Sequence, residues 1–569
     1  IELRGVAIVE PGADGPRAEL VAVDEMFLAC STDWRELFAG RTVVRRILLR
    51  RPTCRVTRRA DGRWTTDRML PAPRSGEEAP EIRVENGVVE VFDPTRAPPA
   101  TWTLRDLNMT TGPVGAGQSI GPAAHTRRLQ GTFSADHVRL ASFEGWIDLA
   151  RRHWALTGAV EGAELGPELY GALPSPLGEP LAAARGLRAQ SDFQFRVAYD
   201  PAGQPEYRYR LAAKLTRGRL DHAALPYPLT DLKADVVVDE SGVMVDSLAA
   251  RANQASLRLS ARRFGHGAAA PMSVVAEIRQ LEIDQPLVAA LPAWLRDRWY
   301  DCRPSGLIDA DVKLDFDGTT WRPDITVQCL NVSATHYWFP YRVDGAKGTV
   351  SLKDDVLRLS LTASAGAQPV RLEAEIAQAT SAPVGWFEAK GDGLPIDATL
   401  LAALSKQTRG VIESLGARGA MNFHARLWQN RPDEPLHTHL MVALERCSFQ
   451  PEWFPYPFRN VRGTIEMIDG CWNFRRWEAS NDSGRFFCEG QLTPTIKGQR
   501  LDLRLTGENV PLDEELRDAL TPGQRQVWSA FRPRGAVDFA ADLSYLAETE
   551  QMTVELRAEP RSDVTSIEM

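Results

Sequence analysis

The side chains best spaced for chemistry are His437 and His439. Alternate residues of a strand share a face, so the two imidazoles project together, and His424 falls on the polar face of a nearby predicted strand. Such a group could hold a divalent transition metal. Solvent-facing histidines explain the pattern more simply, and no metal site is assigned. A second cluster is cationic: Arg41, Arg45, Arg46, Arg50, Arg51, Arg55, Arg58, Arg59, Arg63 and Arg68 crowd into fewer than thirty residues without a lysine. The guanidinium fork suits bidentate phosphate contacts, although a polar strand face balanced by acids elsewhere would look the same. The glycines between Gly112 and Gly121 lack the strand and helix flanks of a phosphate loop and read as a turn. No Ser–His–Asp or Cys–His arrangement can be argued. The carboxylates recur on alternating polar faces, where solvation accounts for them better than general acid–base work. The sequence therefore points away from an enzyme and implies no cofactor.

What must position these residues is a repeat. Leu225-Pro226-Tyr227, Phe339-Pro340-Tyr341 and Phe454-Pro455-Tyr456 carry the same punctuation, 114 and then 115 residues apart. Asp284, Leu287, Ala290, Leu291, Trp299 and Gly306 match Asp397, Leu400, Ala403, Leu404, Ile412 and Gly419, and then Asp513, Leu516, Ala519, Leu520, Trp528 and Gly535. Ala172, Leu173 and Gly186 form a fainter copy one period upstream. A chain of 569 residues would otherwise suggest three or four separate domains, and a continuous array overrides that prior.

Each Asp is placed to cap a helix N-terminus, and the leucines beyond it mark one helical face. Pro292, Ser405 and Thr521-Pro522 fall at the next turn, so the helix breaks and restarts before the Gly returns the chain to strand. Trp294, Trp299 and Trp528 read as helix-to-sheet packing. After each Gly the pattern alternates with period two: Ile308, Val312, Leu314 and Phe316 on one face, Asp309, Asp311, Lys313 and Asp315 on the other. Leu357, Leu359 and Leu361 continue it, as do Val370, Leu372 and Ile376, then Leu501, Leu503 and Leu505, then Val537, Phe539 and Leu543. Asp239-Glu240-Ser241-Gly242 and Asn481-Asp482-Ser483-Gly484 supply hairpin turns between such runs.

The expected fold is mostly β: an elongated, twisted, mainly antiparallel sheet of roughly 115-residue repeats with five or six strands each and short amphipathic helices at the junctions. Its divisions are 1–70, an N-terminal β region; 71–186, a first, degenerate repeat; 187–306, 307–419 and 420–535, three full repeats; and 536–569, the start of another. The apolar face needs a cover, which either closed sandwiches or a gutter lined with something apolar would supply.

Composition narrows the partners. A net charge of −8 disfavours nucleic acid, since phosphate neutralisation needs a dominant basic surface. No apolar run is long enough to span a bilayer. Seven irregularly spaced cysteines form neither a zinc pattern nor a disulfide framework. The chain opens on Ile1 in strand-like sequence, so a leader or anchor is expected upstream. The repeat spacing likewise places a further Pro-Tyr unit about one residue beyond Met569.

The opening residues resemble the N-terminal region of AsmA-like proteins: strand-like Leu20 to Leu28, then Trp34, Leu37, Phe38 and Gly40, then Val43, Val44, Ile47, Leu49 and Pro52, closing on Asp61-Gly62-Arg63-Trp64. The Pro-Tyr units followed by Gly348-Thr349-Val350 or Gly463-Thr464-Ile465 are similar to the repeats of the AsmA/TamB/YhdP group. The resemblance covers nearly the whole chain. It departs at the first copy, where Leu129-Gln130-Gly131-Thr132-Phe133 replaces the Pro-Tyr unit, and the family's N-terminal anchor helix is missing. It implies a bridge-like lipid-transfer or envelope-assembly protein in the periplasm of a diderm bacterium. Such a protein would be anchored to the inner membrane, reach toward an outer-membrane partner, and carry phospholipid or another membrane lipid along its groove. Arg45, Arg46, Arg50 and Arg51 would then meet lipid headgroups. The alternative is a structural envelope scaffold of closed sandwiches without lipid transport.

Overall fold

The computed structural model describes residues 1–10, 19–30, 38, 44–65, 80–113, 126–148, 151, 153–173, 186–495, 498–546, 551–561 and 566–567. Arg41, Arg68, Trp34, Leu37, Gly40, Val43 and most of the Gly112–Gly121 run lie outside them. The chain is mostly β: among the described residues 28 strands form an open, twisted, mainly antiparallel sheet, with a few short helices. Two compact units divide it, one of Ile1–Arg279 with Lys313–Arg322, the other of Gln280–Val312 with Pro323–Met569.

In the first unit successive strands pair antiparallel, with one exception. Val44–Thr57 runs parallel to Glu81–Asp93, which no hairpin can connect. In the second unit two successions of six strands are each closed by a helix pair. Ser305–Phe316 begins the first, and only its opening residues belong to this unit; Ala398–Ala403 and Lys406–Ser414 close it. Arg418–Gln429 begins the second, which Glu514–Ala519 and Pro522–Phe531 close. The two-residue hairpins fall where expected, between Asp239 and Gly242 and between Asn481 and Gly484. At Asp354-Asp355 both loop residues are left-handed, the geometry that follows the strand twist.

The helix pairs form as their sequence dictates. Asp284, Asp397 and Asp513 each accept the backbone N–H three residues on, at 3.1, 2.9 and 2.9 Å. The second helices restart with fresh caps: Ser405 Oγ accepts from Thr408 N at 3.1 Å, and Gln524 Oε1 accepts from Thr521 N at 3.0 Å. The glycine that ends each pair is required. Gly306, Gly419 and Gly535 have φ of 129°, 130° and 108°, and at Gly306 a Cβ would lie 2.0 Å from the Asn331 carbonyl oxygen, so any side chain is refused.

In the second unit the Pro-Tyr unit is a tight turn whose tyrosine becomes core, whereas Tyr227 is only half-buried. Tyr341 N donates to Phe339 O and Tyr456 N to Phe454 O, both at 2.7 Å, an i→i+2 turn around the proline. Tyr341 packs with Val370, Leu394, Leu400 and Ala403, beneath the helix pair that closes its own succession. Tyr456 is fully buried, edge-on to Phe458 and Phe486 at 5.5 and 5.7 Å. Burial, with Asp513 and Glu515 nearby, pushes its phenol up to about 12.

Two outcomes follow. Asp397→Ala and Asp513→Ala should each cost about 1 kcal/mol, read as faster hydrogen exchange confined to the helix pair. An unfolded Tyr456 phenol loses its proton near pH 10 while the folded one keeps it to about 12. Stability of the second unit, intact below pH 10, should therefore fall by on the order of 2 kcal/mol across that interval. Tyr456→Phe should abolish that fall in alkaline denaturant titrations and leave stability at neutral pH nearly unchanged.

Candidate functional site: an open apolar sheet face

In the second unit the register aligns apolar residues across eleven consecutive strands. One row runs through Leu361, Leu372, Ala389, Ala425, Leu440 and Met467. It continues through Trp472, Leu492, Leu501, Tyr545 and Met552. The adjoining row runs Ala363, Val370, Gly391, Phe423, Val442 and Ile465, then Phe474, Gly490, Leu503, Leu543 and Val554. Directly opposed residues share a face, so neither row carries a charge from end to end. Leu357, Leu359, Ile376, Leu505, Val537 and Phe539 lie on this face by the same alternation, and Ile308 packs into its Leu361 cluster. Val312 shares the face of Ile308. Leu314 and Phe316 belong to the first unit, where Phe316 meets the Trp321 ring at 4.9 Å.

Most of these side chains are only half-buried, as expected where neighbours shield one another but, among the described residues, no continuous second layer lies on top. The helix pair covers one end: Leu400, Ala403 and Leu404 pack on Val370 and Leu372. At about 4.8 Å per strand and 6.8 Å per row, the two rows present on the order of 600 Å², more than a soluble surface usually leaves bare. The first unit has a similar row, Val84, Met109, Gly131, Phe143, Gly158 and Phe195, and a core of Leu215, Leu229, Leu232 and Ala234. The sheet is thus open, not a series of closed sandwiches.

Two devices on this sheet escape a reading by alternation. The first levels the apolar face: a phenyl ring lies across a cross-strand glycine, Phe143 on Gly131, Phe195 on Gly158, Phe423 on Gly391 and Phe539 on Gly507. The second locks a bulge on the polar face. Gly162, Gln280, Gly393 and Asn509 are left-handed, and their N–H groups donate to Asp192, Asp309, Asn422 and Asp538 at 2.7, 2.7, 2.7 and 2.6 Å. A signal existed: Asp309, Asn422 and Asp538 all stand three residues after the repeat glycine, and Phe423 and Phe539 four after it.

The polar face disperses the other candidates. His437 meets Asp469 at 2.9 Å, His439 meets Glu466 at 3.1 Å, and His424 contacts Glu388. The three imidazoles thus have three different carboxylates, and among the described residues no group of His, Cys, Asp and Glu could hold a metal ion. Glu388 is held below the usual carboxylate range by Lys390 at 2.7 Å, aided by His424. In the arginine cluster Arg46 pairs with Glu81, Arg50 with Glu25 and Glu85, Arg51 with Asp24 and Arg55 with Glu19 and Glu90, all between 3.0 and 3.4 Å. Carboxylates on flanking strands therefore answer these charges, while Arg45, Arg46, Arg50 and Arg51 stay exposed at the surface. Among the described residues no helix is long and apolar enough to cross a membrane. The fold is that of a repeating open β-sheet protein. No protein-family model matches the chain, and a search of curated proteins finds no match either.

The glycine–phenyl pairs are testable. A Cβ on Gly391 would lie 2.5 Å from the Phe423 ring, so Gly391→Val should lift the ring and cost roughly 1–3 kcal/mol. Adding Phe423→Ala should recover much of that loss, seen as non-additive shifts in the denaturation midpoint.

Proposed function

We propose that the chain is a lipid conduit whose apolar sheet face holds acyl chains while headgroups stay in water. The observation that carries this reading is the pair of uncharged cross-strand rows on a face that, among the described residues, only a helix pair at one end covers. A lipid leaving a membrane exposes apolar surface at about 0.8 kcal/mol per CH₂, on the order of 25 kcal/mol for two chains. A continuous apolar track replaces the membrane contacts step by step, so movement along it needs no nucleophile or cofactor, only continuity. The lining would be Ile308, Val312, Leu357, Leu359, Leu361, Val370, Leu372, Ile376, Leu501, Leu503, Leu505, Val537, Phe539 and Leu543, with Leu314 and Phe316 serving the first unit.

The resemblance to the AsmA/TamB/YhdP group extends the proposal. In this reading the protein works in the periplasm of a diderm bacterium, held at the inner membrane and delivering phospholipid toward the outer membrane, as a transfer protein rather than a catalyst. Arg45, Arg46, Arg50 and Arg51 would touch headgroups where the lipid is taken up. The ion pairs described above leave Arg46, Arg50 and Arg51 at the surface but partly neutralised, which suits transient contact better than tight phosphate binding.

Mass spectrometry of organic extracts should find phospholipid bound to the purified protein. Leu359→Asp with Leu372→Asp should remove most of it while circular dichroism shows an intact sheet. A folded, lipid-free wild type, or unchanged lipid on the folded double variant, would instead favour a scaffold.

A further inference from the structure

The margin of the second unit where the helix pairs sit has a chemistry of its own. The first helix of each later pair has buried residues, Leu400 and Ala403 in one and Ala519 in the other, whereas Lys406–Ser414 and Pro522–Phe531 have none. Val411, Val527 and Phe531 are exposed on them. The Pro-Tyr turns lie alongside: Tyr337 N donates to Asp301 O at 3.0 Å and Glu452 N to Ser414 O at 2.8 Å, tying each turn to the end of a second helix. At these turns Trp338 is 66% and Trp453 70% exposed, although the tyrosines three residues on are core. Nothing in the sheet requires a tryptophan there: the equivalent residue in the first unit is Ala224.

The charge of these segments runs against that of the chain. Residues 522–534 carry Arg525, Arg532 and Arg534 and no acid, and residues 406–418 carry Lys406, Arg409 and Arg418 against Glu413. Residues 293–303 carry Arg296, Arg298 and Arg303 against Asp297 and Asp301. The three segments are thus net +3, +2 and +1 in a chain of −8, while the first helix of the last pair, with Asp513, Glu514, Glu515 and Asp518 against Arg517, offsets the +3 beside it. Exposed indole beside surplus cationic charge, on short amphipathic helices, is the composition that partitions into the headgroup layer of an anionic bilayer. The margin also borders the apolar face at Ala398–Ala403, whose Leu400 and Ala403 pack with Val370 and Leu372 of that face.

We propose that this margin, built from the second helices and the Trp338 and Trp453 turns, docks on the surface of an anionic phospholipid bilayer. Tryptophan supplies the interfacial anchor and the arginines the charge complement. The inference gains its purpose from the conduit reading, as a place where lipid could pass between a bilayer and the sheet face, but it stands on separate residues and is tested separately.

The experiment is flotation of the full chain with vesicles, one set of phosphatidylethanolamine with phosphatidylglycerol, the other of phosphatidylcholine alone. Binding should favour the anionic vesicles at least tenfold, weaken with added salt, and be accompanied by a blue shift of tryptophan emission. Trp338→Ser with Trp453→Ser should lower it at least fivefold without moving the thermal midpoint, because both side chains project into solvent. Wild type that floats with neither vesicle, or equally with both, overturns the proposal, as does a double variant that floats like wild type; a margin used for a protein partner would give the first of these results. Lipid extracted from the same preparations separates the two readings. Loss of flotation with retained bound lipid supports both, and flotation by a chain that never holds lipid sinks the conduit and leaves the docking margin standing.

Discussion

Everything in this structure depends on keeping one side of a very large sheet apolar. Because side chains alternate with period two, a slip of one residue between two strands would exchange the apolar and the charged face from that point onward. Two-residue hairpins fix the register at one end of many strands. The bulges preserve it elsewhere. Leu444 and Cys447 are three residues apart, yet both are buried in the same cluster, because Arg446 takes up the extra residue in a left-handed conformation. Phe474 and Trp477 use Arg476 in the same way, and Gly507 and Val510 use Asn509. Each bulge adds twist without costing the face its continuity.

Among the described residues this sheet has no continuous opposite layer to complete its core, so the repeats of the second unit carry their own partial closure. The Pro-Tyr turn drives a tyrosine under the helix pair, the Asp cap holds the first helix in place, and the repeat glycine lets the chain pass too close to its neighbour for any side chain. These contacts are local to one repeat, so a lesson from repeat proteins applies: stability is a sum of unit and neighbour terms, and damage to one helix pair should be felt there first. The remaining apolar surface is what the closure leaves open, and in the proposed reading its occupant is lipid.

The polar side shows how little functional weight charge density carries by itself. The arginine-rich strand Val44–Thr57 lies between strands bearing Glu19, Asp24, Glu25, Glu81, Glu85 and Glu90, and most of its guanidinium groups find a carboxylate there. Solvent-exposed pairs of this type contribute little stability each. Their more useful effect is to specify which strands adjoin, which matters where a parallel pair, Val44–Thr57 with Glu81–Asp93, interrupts the run of hairpins.

By itself the sequence determined whatever is local or periodic: the 115-residue spacing, the Asp caps and restarting helices, the hairpins at Asp239–Gly242 and Asn481–Gly484, and the assignment of Leu359, Leu372 and Leu503 to an apolar face. Helix capping and strand alternation act over a few residues, so residue type alone reveals them. Tertiary structure decided the rest. Whether the apolar faces close into sandwiches or stay open depends on which surfaces meet, and alternation is the same in both. That Phe423 lies on Gly391, that Asn422 locks the Gly393 bulge, and that Arg50 faces Glu25 and Glu85 are cross-strand relations. They exist only once pairing has brought residues distant in sequence to within about 5 Å, a distance on which neither spacing nor composition bears.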